Sequence, residues 1–268
     1  LAGAARDYIG LWAVAPGRRI AVFTLNDDGY RTALAAKAAG LDAVVIDARE
    51  ETPGDLPARA EAAGVPIRRG SVVARALGRK RVEAVEVMRL RVTGRAAPAE
   101  TLEVDCVAAA GGWSPVVHLW SHAGGKLRWD EAGAMFRPDP LRAPIGADGA
   151  PVARVAGAAN GDMTTAAAIE GGFRVGAEAA AECGFAGPAP EAPAVEEPGA
   201  APGRTLWFTP GRGKYAHGSK HFVDFQNDVT ALDVELAARE GYESVEHAKR
   251  YTTLGMATDQ GKLSNIVG

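Results

Sequence analysis

Short apolar runs alternate with alanine-rich amphipathic stretches through the first hundred residues. Arg19–Thr24 reads R-I-A-V-F-T, Ala43–Asp47 reads A-V-V-I-D, and Val65–Arg69 reads V-P-I-R-R. Each is of strand length and rich in β-branched or small apolar residues. Between them lie Tyr30–Ala39, stopped by Gly40, and Leu56–Ala63, stopped by Gly64, which carry helical patterning and a glycine at the expected end. This β-α-β-α-β rhythm predicts a parallel sheet with helices on its faces. Residues 1–17 predict a helix and a turn ending at Pro16-Gly17. Val82–Val92 and Glu100–Ala110 are both strand-rich, with the turn-like Gly94–Pro98 between them. They predict an antiparallel hairpin appended to the parallel sheet, closed by Gly111-Gly112.

Regularity falls after residue 113. Loops are expected there, with a strand over Val152–Ala156 and an alanine-rich helix from about Thr165 to Cys183. Residues 186–204 hold five prolines among Ala, Glu and Gly, a semi-stiff linker with almost nothing to bury. Beyond it, Asp233–Arg239, stopped by Gly241, and Val245–Tyr251 predict two helices of a separate small unit. The chain carries no internal repeat of solenoid type.

Composition narrows the function classes. The 268 residues are 47% hydrophobic and 24% charged, with net charge −3, an ordinary globular balance. It gives no reason to expect a nucleic acid or an anionic membrane as partner. No run of 18 apolar residues exists, so no transmembrane helix is expected. Leu1-Ala-Gly-Ala-Ala-Arg-Asp has no basic segment leading into an apolar one, so no secretory signal is expected. Both ends read as cuts within a longer polypeptide. Two cysteines, Cys106 and Cys183, are expected to be buried inert thiols, and a cytoplasmic, reducing compartment suits them.

Candidate chemistry begins at Ile20–Tyr30, I-A-V-F-T-L-N-D-D-G-Y. A dinucleotide fingerprint would place glycine at Thr24, Asn26 and Gly29, and only the last is glycine. A side chain at Asn26 obstructs a pyrophosphate, and Asp27 and Asp28 at the helix start repel one. Asp47 lies where an acidic residue would hold a ribose hydroxyl. These substitutions suggest that the domain has lost its own nucleotide and serves structurally. A second motif spans Val155–Gly172, V-A-G-A-A-N-G-D-M-T-T-A-A-A-I-E-G-G. An apolar run leads to Gly157 and Ala158, then Gly161-Asp162-Met163, then Thr164 and Thr165 at a helix start. With Asp105–Pro115 before it, it resembles the closing fingerprint of the two-dinucleotide-binding, glutathione-reductase-like flavoprotein family. The resemblance implies Rossmann-like α/β domains, with Asp162 on a ribose or ribityl hydroxyl and the helix N-terminus facing the pyrophosphate. The simpler reading of Asn160-Gly161-Asp162 is a turn and a helix cap.

The run from His221 to Asn265 resembles the small helical iron–sulfur module of the bacterioferritin-associated-ferredoxin type. The four positions where that module carries cysteine are Asp224, Gln226, Asp259 and Ser264, so no iron–sulfur cluster is expected. The segments F-V-D-F-Q-N-D-V-T and S-V-E-H-A-K-R-Y-T-T-L-G-M-A-T-D-Q-G-K are similar to the alpha-subunit family of heterotetrameric sarcosine oxidases. That resemblance implies five parts. They are 1–17, the end of a first dinucleotide-binding domain; 18–110, an inserted Rossmann-like domain; 111–185, the closing half of the first; 186–204, a linker; and 205–268, a small all-α module. It implies a non-catalytic NAD⁺ near Gly157, Ala158, Gly161, Asp162, Met163, Thr164 and Thr165, in a site completed by residues upstream. It also implies an FMN at a subunit interface, an FAD in a partner subunit, and beta, gamma and delta subunits as partners. The complex would demethylate sarcosine with oxygen and tetrahydrofolate, giving glycine, 5,10-methylenetetrahydrofolate and hydrogen peroxide, and no catalytic residue or metal is expected in this chain.

Other features fit less well. An NAD(P)H-dependent reductase of disulfide-reductase type would need a C-x-x-C or C-x-x-x-x-C pair, which is absent. A non-catalytic scaffold subunit of a related amine dehydrogenase remains as an alternative. His118 and His122 have i, i+4 spacing, but no third ligand is near in sequence. His217, His221 and His247 are scattered and read as structural. The basic, Gly-rich Gly211–Lys220 is an anion cradle or a solvated loop. Lys249-Arg250-Tyr251 is a solvated helical face or a contact for an FMN phosphate.

Overall fold

The computed structural model describes residues 1–268 except 91–99, 186, 189, 198, 201 and 210–219. The chain is a mixed α/β protein built around a parallel sheet and divides into two compact units. One joins Leu1–Gly111 with Ala200–Gly268, and the other is Gly112–Gly199.

The first unit opens with helix α1 (Ala2–Gly10), then β1 (Arg19–Thr24), α2 (Asp28–Ala38), β2 (Asp42–Asp47), α3 (Asp55–Ala62) and β3 (Ile67–Arg68). The strands follow the order β3-β2-β1, and β7 (Cys106–Ala110) completes the sheet beside β1. All neighbours are parallel, as the β-α-β-α-β rhythm predicts. Strand periodicity sends Ile20 and Val22 to one face, where they pack with Tyr30, Ala33, Ala36, Leu56 and Ala60. Ala21 and Ile46 point to the other face and meet Val85, Val87 and Val104. That second layer is an antiparallel sheet of β4 (Ser71–Leu77), β5 (Ala84–Arg89) and β6 (Glu100–Glu103).

The single strand expected over Glu100–Ala110 is therefore two. Glu100–Glu103 pairs with β5, whereas Cys106–Ala110 crosses to the parallel sheet. Asp105 fixes the change of sheet, because its carboxylate accepts from the Arg18 amide at 3.0 Å and the Arg19 amide at 2.8 Å. The expected hairpin also gains β4, and its Gly94–Pro98 turn falls outside the described residues. Cys106 is half-buried and Cys183 exposed, so neither is the buried thiol expected. Burial, then the neighbouring Asp105 charge, pushes the Cys106 thiol up and keeps it protonated.

In the Gly112–Gly199 unit, α4 is a five-residue helix (His118–His122), followed by the hairpin β8 (Leu127–Asp130) and β9 (Met135–Pro138). Val152–Ala156 forms no strand; Pro151 makes one isolated bridge to Ile145 and the following residues are irregular. Helix α5 (Thr165–Glu182) closes the unit's regular structure and buries only Gly171 among its residues. The carboxyl-terminal residues carry a short ribbon of β10 (Phe222–Asp224) and β11 (Val229–Thr230), then α6 (Ala231–Arg239) and α7 (Val245–Thr252). Thr230 starts α6 with a reciprocal capping box, its hydroxyl accepting from the Asp233 amide while the Asp233 carboxylate accepts from the Thr230 amide.

Candidate functional site

The turn at the end of β1 is filled by its own side chains. Gly29 is required where it stands, because a Cβ there would lie 2.5 Å from the Thr24 Cβ. Helix α2 thus approaches β1 closely at this glycine. The Thr24 hydroxyl donates to the Asn26 carbonyl at 2.6 Å, and the Asn26 side-chain oxygen accepts the Asp28 amide at 2.9 Å. An amide that would face a phosphate is thereby consumed. Asp47 is fully buried and its oxygens are engaged. Oδ1 accepts from Arg49 N at 2.9 Å and Nε at 3.0 Å, and Oδ2 accepts from Arg49 Nη2 at 2.7 Å and the Tyr30 hydroxyl at 2.9 Å. Arg49 Nη2 also stands 2.7 Å from Asp27 Oδ1. Burial by itself would lower the Arg49 pKa, but the bonds to Asp47 and Asp27 outweigh it and raise it. Burial pushes the Tyr30 hydroxyl well up, so it remains a donor to Asp47.

The second motif lies in the Gly112–Gly199 unit. Gly157 begins a 3-10 turn that ends at Asn160, with φ of 62° at Gly157 and 87° at Gly161. These left-handed positions favour glycine. Ala158 lies within the turn, Met163 is exposed, and Thr165 is the first residue of α5. The Thr164 hydroxyl caps α5 by accepting from the Ala167 amide. Gly171, within α5, lets the turn approach; a Cβ there would stand 3.5 Å from Asp162 Oδ2 and 3.9 Å from the Gly157 amide nitrogen. Asp162 Oδ2 accepts from Asn160 Nδ2 at 3.0 Å and Oδ1 from Arg137 Nη2 at 3.4 Å.

Arg137 is the residue that sequence reading missed. It sits on β9, donates Nε to the Asn160 carbonyl at 2.8 Å, and pairs with Asp130 at 3.2 Å as well as with Asp162. Its distance in sequence from the motif left no local signal, and the hairpin that carries it lacked a strong turn signature. A second group absent from the sequence reading is Glu197, whose carboxylate accepts from the Ala166 amide in the first turn of α5. A carboxylate stands where the resemblance places a phosphate, and it makes the same demand on that donor.

The four residues Asp224, Gln226, Asp259 and Ser264 are placed unequally. Asp224 and Ser264 are buried, and the Ser264 hydroxyl lies 3.4 Å from Asp224 Oδ2. Asp224 also accepts the amides of Gly255 at 2.8 Å, Gln226 at 2.9 Å and Asn227 at 3.1 Å. Gln226 instead accepts from the Thr258 hydroxyl at 2.8 Å, and Asp259 accepts from the Gly261 amide at 3.2 Å. Hydrogen bonds to one carboxylate tie the ribbon to the Gly255 turn. Among the described residues, no group of three His, Cys, Asp or Glu side chains could hold a metal ion. No described helix is long and apolar enough to cross a membrane. Residues 211–219 of the basic, Gly-rich stretch, His217 among them, fall outside the described residues.

Residues 218–268 match the Sarcosine oxidase A3 domain. Over 99% of its length the chain is 42% identical to sarcosine oxidase subunit alpha of Rhizobium meliloti (strain 1021), and 40% identical to that of Corynebacterium sp. (strain P-1). The chain is homologous to sarcosine oxidase alpha subunits. It spans about a quarter of the length of these relatives, 25% and 27% respectively. Among solved structures, thioredoxin reductase from T. acidophilum is 18% identical, with a TM-score of 0.37 over 54% of this chain and 48% of that one.

Within the residues matched to the sarcosine oxidase A3 domain, Asp224 makes stability depend on pH. The Gly255 amide does most to hold its carboxyl below the usual carboxylate range, against burial, with help from Asn227, Gln226 and Ser264. A carboxyl with a depressed folded pKa contributes fully above its unfolded value, about 3.9, and the contribution is lost as pH falls through the folded value. Replacing Asp224 with asparagine is expected to remove up to about one proton from the acid-unfolding slope below about pH 4. Thermal unfolding across that range reads this directly, and an unchanged slope in the variant would remove Asp224 from the account.

Proposed function

We infer that this chain is a segment of the alpha subunit of a heterotetrameric sarcosine oxidase that holds a non-catalytic NAD⁺ and contacts the flavin-bearing subunit. The observation that carries this reading is 42% identity, extending over 99% of the chain, to a protein named for that subunit. The complex would oxidise sarcosine with oxygen and tetrahydrofolate as acceptors, yielding glycine, 5,10-methylenetetrahydrofolate and hydrogen peroxide. Its FAD would lie in the beta subunit and its FMN at the alpha–beta interface, with gamma and delta subunits completing it. The five-part division at 17/18, 110/111, 185/186 and 204/205 belongs to the same reading.

The residues around Gly157–Thr165 suit a dinucleotide. Asp162 can accept ribose hydroxyls while Arg137 and Asn160 hold its orientation. Small residues at Gly157, Ala158 and Gly161 admit a backbone approach, and Thr164 and Thr165 bring hydroxyls and amides to the helix start. Glu197 must yield the Ala166 amide for a phosphate to take it. Bound NAD⁺ supplies no hydride in this reading; the chain's residues bind and orient it, and substrate electrons pass between the flavins.

The test is the nucleotide content of the full-length complex. Denaturing the purified complex is expected to release about one NAD⁺ per alpha subunit. Anaerobic sarcosine should bleach the flavins and leave that NAD⁺ oxidised. Release of FAD from the alpha subunit, or reduction of its NAD⁺ by sarcosine, would overturn the assignment.

A further inference from the structure

The carboxyl end of the parallel sheet is where open α/β sheets receive ligands, and in this chain it is covered by the chain itself. The Arg204 amide donates to the Leu25 carbonyl at 2.8 Å. Arg204 Nη1 donates to the Ala48 carbonyl, also at 2.8 Å. Leu25 and Ala48 are the residues that directly follow β1 and β2. From below, Arg49 Nη1 donates to the Pro202 carbonyl at 3.4 Å. Gly203 lies so near that a Cβ on it would stand 3.6 Å from the Leu25 carbonyl oxygen and 3.8 Å from the Asn26 Cβ. Leu206 packs against the cluster of Leu25, Ala48, Val72, Met88 and Leu90.

We propose that this crevice is a docking site for the chain's own Pro202–Leu206 segment, which takes the place of a dinucleotide and anchors the residues that follow it to the inserted domain. The chemistry of the surface decides between the two ligands. A dinucleotide presents phosphate oxygens and needs donors. Here the Asp28 amide is already spent on Asn26, and the strand ends offer acceptors, the Leu25 and Ala48 carbonyls, above a buried Asp27–Arg49–Asp47 group. Acceptors at that edge suit a segment that brings an amide and a guanidinium, and repel a pyrophosphate. Leu206 adds an apolar anchor, and Gly203 permits the close backbone approach. A tether within one chain raises the effective concentration of such a segment far above that of a free nucleotide. This docking does not depend on whether NAD⁺ sits near Asp162.

Hydrogen exchange on the full-length chain in its complex tests it. The Arg204 amide is expected to exchange at least a hundredfold more slowly than in an unstructured peptide. Millimolar NADPH should leave exchange at residues 20–30 and 202–206 unchanged. Arg204→Ala and Leu206→Ala should each speed exchange across 202–206 by about tenfold or more while the β2 amides stay protected. Exchange of the wild-type Arg204 amide at free-peptide rates would overturn the proposal. So would NADPH-dependent protection of residues 24–30 with release of 202–206. The wild-type measurements decide the matter even if a variant fails to assemble.

Discussion

Replacing Asp47 with alanine is expected to cost about 3–5 kcal/mol of folding free energy, the usual price of stranding a buried ion-pair partner. Asp47 has no exposed surface, and Arg49 is only 6% exposed. The substitution deletes the acceptor for two side-chain nitrogens and the amide of Arg49 and for the Tyr30 hydroxyl. Asp27 still faces the guanidinium, which puts the loss toward the lower end of that range. Adding Arg49→Met to Asp47→Ala should recover little of the loss, because the buried Asp27 carboxylate then loses the guanidinium that stands 2.7 Å from it. Urea unfolding of the full-length chain at neutral pH measures both. A cost under about 1 kcal/mol for the single variant would show that the network relaxes or hydrates, and that it is not a fixed structural unit.

The second large effect concerns nucleotide retention and rests on the proposed function. Asp162→Ala should weaken NAD⁺ binding by about a hundredfold, since charged hydrogen bonds contribute about 1.5–3 kcal/mol each. The complex should then lose most of its NAD⁺ during purification. Arg137→Met should weaken binding less, about tenfold, because Arg137 acts through its bonds to Asp162 and the Asn160 carbonyl. Nucleotide quantified after denaturation, together with a titration of added NAD⁺, separates the two. Stoichiometric NAD⁺ in the Asp162→Ala complex would exclude Asp162 from the site, whatever the fate of the strap at 202–206.

Much of the fold of Leu1–Gly111 is legible from local pattern. Val22 and Val45 lie in runs too apolar to be anything but buried strands, and Gly40 and Gly64 stop helices where the sequence places them. The 210–219 stretch apart, the carboxyl-terminal helices follow the same logic, with Thr230 and Asp233 forming a capping box readable at the spacing of three. The hairpin at 127–138 went unread because Arg128, Trp129, Phe136 and Arg137 do not alternate cleanly and its connection lacks an Asn-Gly or Asp-Gly signal. Val152–Ala156 has the composition of a strand but forms none; the neighbouring Pro151 makes one isolated bridge to Ile145.

The candidate site divides the same way. Asp47, Asp162 and Asp224 stand out because fingerprints and module spacing mark them. Their partners Arg49, Arg137 and the Gly255 amide do not, and those partners determine what each carboxylate can still accept. Arg49 lies only two residues from Asp47, so an Asp-x-Arg at a strand end is the local signal of that pair. Arg137 is 25 residues from Asp162 and gave none.

Local pattern is enough for the order and type of the main elements, for Thr24 and Asn26 where a fingerprint would carry glycine, and for the absence of cysteine at Asp224, Gln226, Asp259 and Ser264. Those are properties of periodicity, stops and residue identity, all local. Three features come from packing instead: Glu100–Ala110 serves two sheets, Arg49 pairs with both Asp27 and Asp47, and Pro202–Leu206 lies across the ends of β1 and β2. Each depends on strand pairing or on contacts between residues far apart in the chain, where burial forces every carbonyl and charge to find a partner that no short window of sequence reveals.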